Sequence, residues 1–179
     1  MLAGAVGLGL EYFSLLRPYT ELWIARRFAE LDTYLGSFRS CNRAFHIDPN
    51  KRLDHWCGHC DKCCFIDLIL APFLPADRLR AVFGASPEPL DRADLLPKFQ
   101  TLLGLSEDTK PWECVGDIHE CRTAVALAAR RADRSGSPVL AALMRTFDAA
   151  SAAADIDQLL QPVGQHHIPD RYAPPGLLG

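Results

Sequence analysis

Four of the chain's seven cysteines fall within eight residues, at Cys57, Cys60, Cys63 and Cys64. Cysteines this close make poor disulfide partners for one another, because a bridge needs a suitable Cα separation and Cβ vectors that point together. The count is also odd, with Cys41, Cys114 and Cys121 as the remainder. The pattern reads instead as a metal site plus free thiols in an intracellular protein, with the cytoplasm as the expected address. Cys57-x2-Cys60-x2-Cys63, with Cys41 sixteen residues upstream, supplies four thiolates. Four sulfurs satisfy a tetrahedral Zn²⁺ and leave no position open for water, which makes the expected site structural. His55, His59 or Cys64 would substitute for one ligand. An iron–sulfur cluster is the rival reading, but the bacterial ferredoxin run needs a cysteine followed by proline where this chain has Asp67 and Leu68. In a plainer alternative, Cys63 and Cys64 are ordinary buried residues at the head of an apolar helix.

Around this cluster the chain is long enough for a real core. It has 179 residues, 49% of them hydrophobic and 23% charged, which is one domain's worth and not a disordered composition. A formal net charge of −3 argues against a general nucleic-acid coat. No apolar run reaches the length of a membrane span. The apolar start, Met1 to Leu10, lacks a basic region before it and is ended by Glu11, so no secretory signal is expected.

The periodicity is helical throughout, and no stretch alternates with period two. Residues 1–17 read as the truncated end of an upstream α/β domain. A region over 18–75 holds a helix opened by Pro18 and Thr20 and ended by Gly36, then the cysteine-rich metal loop, then a helix over Cys63 to Leu70 stopped by Pro72. A helical region over 76–161 follows. Its expected helices are Pro75 to Phe83, closed by Gly84; Asp91 to about Leu103; about Ile118 to Arg131; and Pro138 onward to Gln161, capped by Ser137 and broken near Ala153. An irregular tail, 162–179, carries His166 and His167, read as exposed polar residues more than as ligands. The expected fold class is therefore mainly α, a small helical domain built around a four-cysteine metal loop.

A second constellation runs from Glu113 to Cys121. Asp117 with Glu120 three residues later reads as a capping pair that starts a helix. Cys114 would then sit just before a helix N-terminus, where the partial positive charge favours thiolate. The competing reading makes Asp117 and Glu120 caps only, and Cys114 a small buried residue. Arg39 and Arg43 flank Cys41 and suit phosphate or carboxylate, if they are not simply solvated.

The string Arg39-Ser40-Cys41-Asn42 with Cys57-Gly58-x-Cys60-Asp61-x-Cys63 resembles the zinc-holding C-terminal portion of the ATP-pyrophosphatase superfamily. The fuller motifs, Phe38 to Phe45, Trp56 to Phe65, Leu70-Ala71-Pro72-Phe73 and Trp112-Glu113-Cys114-Val115-Gly116, resemble the UDP-N-acetyl-muramoyl-L-alanyl-L-glutamate epimerase family over about residues 10 to 172. The resemblance implies the C-terminal half of an α/β ATP-pyrophosphatase-like enzyme that uses ATP and Mg²⁺ to invert the Cα of the terminal glutamate in UDP-MurNAc-L-Ala-L-Glu, for peptidoglycan synthesis. It further implies that Cys114, His119, Glu113 and Asp117 are the acid/base candidates, that Arg39, Asn42 and Arg43 hold nucleotide or substrate, and that Cys41, Cys57, Cys60 and Cys63 hold zinc. Family members are more than twice this length, and their pyrophosphate loop, of Ser-Gly-Gly-x-Asp-Ser type, has no counterpart here. A separate N-terminal half carrying that loop is therefore an expected partner, and no membrane or nucleic acid is expected. The competing function is a non-catalytic, zinc-stabilised helical module that docks onto a protein or RNA.

Overall fold

A helix buried along nearly its whole length forms the centre of the molecule. A computed structural model describes residues 11–84, 86–106, 115–162 and 166–173. Helix α3, Asp61–Leu70, buries Cys63, Cys64, Phe65, Asp67, Leu68, Ile69 and Leu70, so it is enclosed on nearly every side. Around it pack α1 (Glu21–Ala29), α5 (Leu96–Leu102), α6 (Ile118–Ala128) and a 3₁₀ turn at Pro89–Asp91. The remaining helices are α2 (Asp32–Leu35), α4 (Ala76–Phe83), α7 (Pro138–Leu143), α8 (Ala149–Ala152) and α9 (Ile156–Leu159). The described residues contain no strand, in line with the mainly helical expectation. None of their helices is long and apolar enough to cross a membrane.

Local chemistry explains most boundaries. Thr20 caps α1 by accepting from the Trp23 amide at 2.9 Å, and its hydroxyl donates to the Leu159 carbonyl at 2.6 Å. The single helix expected as far as Gly36 is divided, because Leu31 leaves helical geometry (φ −99°, ψ 64°) and α2 restarts at Asp32. The helix expected from Asp91 begins later, at Leu96. Pro97 would have stood in the interior of the longer helix and clashed with a carbonyl four residues back, whereas it is tolerated in a first turn. Two 3₁₀ turns replace the missing length, and Asp91 pairs with Arg80 at 2.8 Å. Ser137 caps α7 as expected, and the expected break at Ala153 is present between α8 and α9, but the helix also breaks earlier, after Leu143. Asp148 turns its carboxylate onto the Ala150 and Ser151 amides and starts α8 afresh. The described tail is not wholly irregular: it forms a 3₁₀ turn at Asp170–Tyr172, and Tyr172 stacks on Phe13 with ring centroids 5.1 Å apart.

One contact ties the chain's beginning to α6. Asp117 caps α6 through the His119 amide at 2.7 Å, but Glu120 does not reach back to complete the expected pair. Instead its buried carboxylate crosses to the N-terminus of α1 and accepts from the Leu22 amide at 2.7 Å. Glu120→Ala should leave that amide buried and unpaired and cost about 1–3 kcal/mol in urea unfolding, while Glu120→Gln, which keeps an acceptor oxygen, should cost less than half as much. Equal losses would mean that charge, and not the cap, holds α1.

Candidate metal centre

The cysteine-rich segment is folded by a few specific contacts. Trp56 is buried and sits between Phe38 and Phe83, with ring centroids at 5.2 and 5.5 Å, and Phe28 continues the row against Phe38 at 4.6 Å. The Ser86 hydroxyl donates to the Trp56 carbonyl at 2.6 Å. Gly58 has φ +69°, and a Cβ there would lie 2.8 Å from the Ser86 Cβ and 3.0 Å from the Pro87 carbonyl. Only glycine fits this corner. The chain then enters α3 with Cys60 as its N-cap and Cys63 in its first turn.

This geometry brings Cys41, Cys57, Cys60 and Cys63 together, with all four sulfurs within 4.8 Å of one another. The closer separations are 3.4 Å for Cys60–Cys63, 3.7 Å for Cys57–Cys63 and 4.0 Å for Cys41–Cys60. They are far too long for disulfides. They bracket the edge of a tetrahedron with Zn–S bonds of about 2.3 Å, which is roughly 3.8 Å. The peptide groups are arranged for thiolates as well. Amides of His59 and Cys60 point at the Cys57 sulfur, and those of Cys63 and Asn42 at the Cys60 sulfur. The start of α3 adds its positive end. The close Cys60–Cys63 contact holds Cys60 well below the usual thiol range, and that same contact, with burial, drives Cys63 far above it. Burial likewise raises Cys57. Four sulfurs this close share their ionisation until a dication neutralises them together. Lys98, paired with Asp61 at 2.6 Å, and Arg92, against the Gly58 carbonyl at 3.5 Å, face the cluster from the α5 side.

The alternative ligands do not join. His59 Nδ1 is engaged with the Cys57 carbonyl at 2.6 Å, His55 Nδ1 with Asp54 at 2.7 Å, and Cys64 is buried outside the cluster. No second metal-ligating group of this kind occurs among the described residues, His166 and His167 included.

The other sequence-derived candidates are distributed over two places. Arg39, Asn42 and Arg43 are exposed beside Cys41, and Arg39 faces Asp54. Asp117 and His119 stand at the start of α6, where His119 Nε2 lies 3.4 Å from Asp155 Oδ2. Of the two, His119 lines a cleft of about 230 Å³, walled also by Arg122, Phe147, Asp148, Ser151 and Asp155, and none of the metal-loop residues takes part in it. Glu113 and Cys114 lie outside the described residues. Arg122 is held by its Nε on the Leu103 carbonyl at 2.9 Å. Asp155 and Arg122 were not legible as site residues: Asp155 is 36 positions from His119, and Arg122 reads as one more polar position on α6.

Residues 37–158 match the family described as the MurL C-terminal domain, and the chain belongs to that family. The UDP-N-acetyl-alpha-D-muramoyl-L-alanyl-L-glutamate epimerase of Xanthomonas oryzae pv. oryzae is 42% identical over 166 residues, which are 92% of this chain and 36% of the relative. The enzymes of the same name from a Micromonospora species and from Salinispora tropica are 40% and 39% identical, over 96% and 93% of this chain and 38% and 36% of their own lengths. The chain thus spans little more than a third of the length of these curated relatives. No solved structure matches it.

Two substitutions test the centre. Cys60→Ser should lower both bound metal and melting temperature, since the binding energy of a structural site is folding energy. Gly58→Ala should cost about 1–3 kcal/mol while metal is still retained, because it strains the corner without removing a ligand. A Cys60→Ser protein that melts normally would detach the cluster from folding.

Proposed function

We propose that this member of the MurL C-terminal domain family is the C-terminal part of an ATP-dependent epimerase that converts the terminal L-Glu of UDP-MurNAc-L-Ala-L-Glu to D-Glu in peptidoglycan precursor synthesis. The observation that carries the reading is the match of 92–96% of this chain to relatives named for that epimerisation. It favours an enzyme over a non-catalytic docking module. Cys41, Cys57, Cys60 and Cys63 hold one structural zinc, which the sulfur spacing fits. The remaining two thirds of the enzyme, encoded with this chain or apart from it, carry the pyrophosphate loop, and a cytoplasmic location follows from a nucleotide-linked substrate.

ATP with Mg²⁺ supplies activation of the carboxylate next to Cα, removing the charge that otherwise makes the Cα proton so weakly acidic. The residues of this chain then handle that proton. His119 is the central acid/base candidate: its amide is fixed by Asp117 and its ring by Asp155, and it faces an open cleft. Cys114, with Glu113 beside it in the sequence and three positions before the α6 cap, is the second acid/base candidate and serves the opposite face of the carbon. Asp117 acts by positioning His119. Arg39, Asn42 and Arg43, held beside the zinc, bind the phosphates of the nucleotide-linked substrate.

Incubated alone with the muramoyl dipeptide, ATP and Mg²⁺, the chain should produce no D-glutamate by chiral analysis; its appearance would place ATP binding within these residues. In the complete enzyme, His119→Ala or Cys114→Ala should slow exchange of the Cα proton with deuterated solvent about 100-fold or more while carboxyl activation continues. Normal exchange in both variants would remove them from the acid/base pair.

A further inference from the structure

A second polar cluster lies in the interior, used by neither the metal nor the α6 cleft. Asp67, midway along α3, is 0% exposed, and Glu88 and Arg134 are each 3% exposed. Arg134 Nη1 donates to Glu88 Oε1. Asp67 Oδ2 accepts from the Leu90 amide at 2.7 Å, and Glu88 is the charged group that acts on its carboxyl most strongly. Arg80, half exposed, approaches Glu88 Oε2 from outside at 3.2 Å. The groups facing Asp67 are thus Glu88 and the Leu90 amide from the turn, Arg134 from beyond α6, and the Cys64 thiol on its own helix. Asp91 and Asp133 lie further out, around Arg80.

The charge count decides the protonation. Two carboxyl groups meet one buried guanidinium, and that guanidinium is bonded to Glu88. An ionised Asp67 would be a second buried anion against Glu88 with no cation bonded to it, which is strongly disfavoured. Asp67 Oδ1 and Glu88 Oε2 are both buried without a hydrogen-bond partner, and two ionised carboxylates, being acceptors only, could not satisfy each other. A proton on Asp67 resolves both difficulties.

We propose that Asp67 is a proton-carrying latch, neutral in the folded protein at neutral pH and donating to Glu88, so that α3, the 86–91 turn and Arg134 are joined in a network of zero net charge. Burial first, and the neighbouring Glu88 second, push the Asp67 carboxyl well above the usual carboxylate range. The sign follows from linkage. Below about pH 4 the aspartate is protonated both folded and unfolded, and the latch contributes fully. As pH rises, the unfolded chain releases this proton and the folded one keeps it. The folding constant then falls by about tenfold per pH unit until the folded group also ionises.

The test uses the full chain with carbon-13-labelled aspartate, which leaves the glutamates silent. One aspartate carboxyl should remain protonated at pH 7 by NMR, and its signal should be missing from Asp67→Asn. That variant keeps a donor for Glu88 and an acceptor for Leu90 but cannot titrate. Between pH 5 and pH 7 the wild type should lose about tenfold per unit in folding constant relative to it. Glu88→Gln, which strips Arg134 of its counter-charge, should lower the folding constant about 100-fold or more. Finding every aspartate ionised at pH 7, or parallel pH profiles for wild type and Asp67→Asn, would overturn the latch. A Glu88→Gln protein as stable as the wild type would overturn the network.

Discussion

Four sulfur atoms drawn within 4.8 Å of one another are the constraint on which the rest of the structure hangs. The stretch from Ser37 to Cys60 has no α-helix and only two short 3₁₀ turns, so its own backbone offers little to offset the entropy of ordering it. The cluster anchors this stretch at Cys41 and Cys57 and delivers it to the head of α3, the helix that every large neighbour packs against. The aromatic row Phe28–Phe38–Trp56–Phe83 and the Ser86 bond to Trp56 then seat the loop on the core, and Gly58 allows the corner between them. The cysteine cluster and the hydrophobic centre are therefore built together, with Cys60 both N-cap of α3 and a member of the cluster.

Side-chain identity at fixed short spacing was legible in the sequence, and long-range partnership was not. The four cysteines that converge could be written from Cys-x2-Cys-x2-Cys and one upstream cysteine, and the caps Thr20, Asp117 and Ser137 from residue type and position. Glu120 shows the limit. Its spacing from Asp117 suits a local capping pair, but its carboxylate is better used 98 residues away on the Leu22 amide. The broken helices have similar causes. Asp148 looks like a tolerable helix residue until its carboxylate caps the next turn, and a proline at position 97 decides where α5 begins although Asp91 is the better cap by type. The buried trio of Asp67, Glu88 and Arg134 left no periodic trace, since each lies in a different part of the chain.

In the proposed division of labour, the metal loop provides a rigid platform for Arg39, Asn42 and Arg43, and the α6 cleft provides proton chemistry. The two are mechanically coupled. α3 carries Cys63 at its start and packs along α6, while α1, pinned by Glu120 and Thr20, covers both. A disturbance at the cysteine cluster would therefore reach His119 through packed helices.

The central claim is that four thiolates of this chain enclose a single zinc ion. X-ray absorption at the zinc edge of the purified protein measures this directly. The account predicts a first shell of four sulfurs at about 2.3 Å with no nitrogen, oxygen or second metal. A mixed shell containing imidazole or water, or an iron edge with a metal–metal distance, would contradict it.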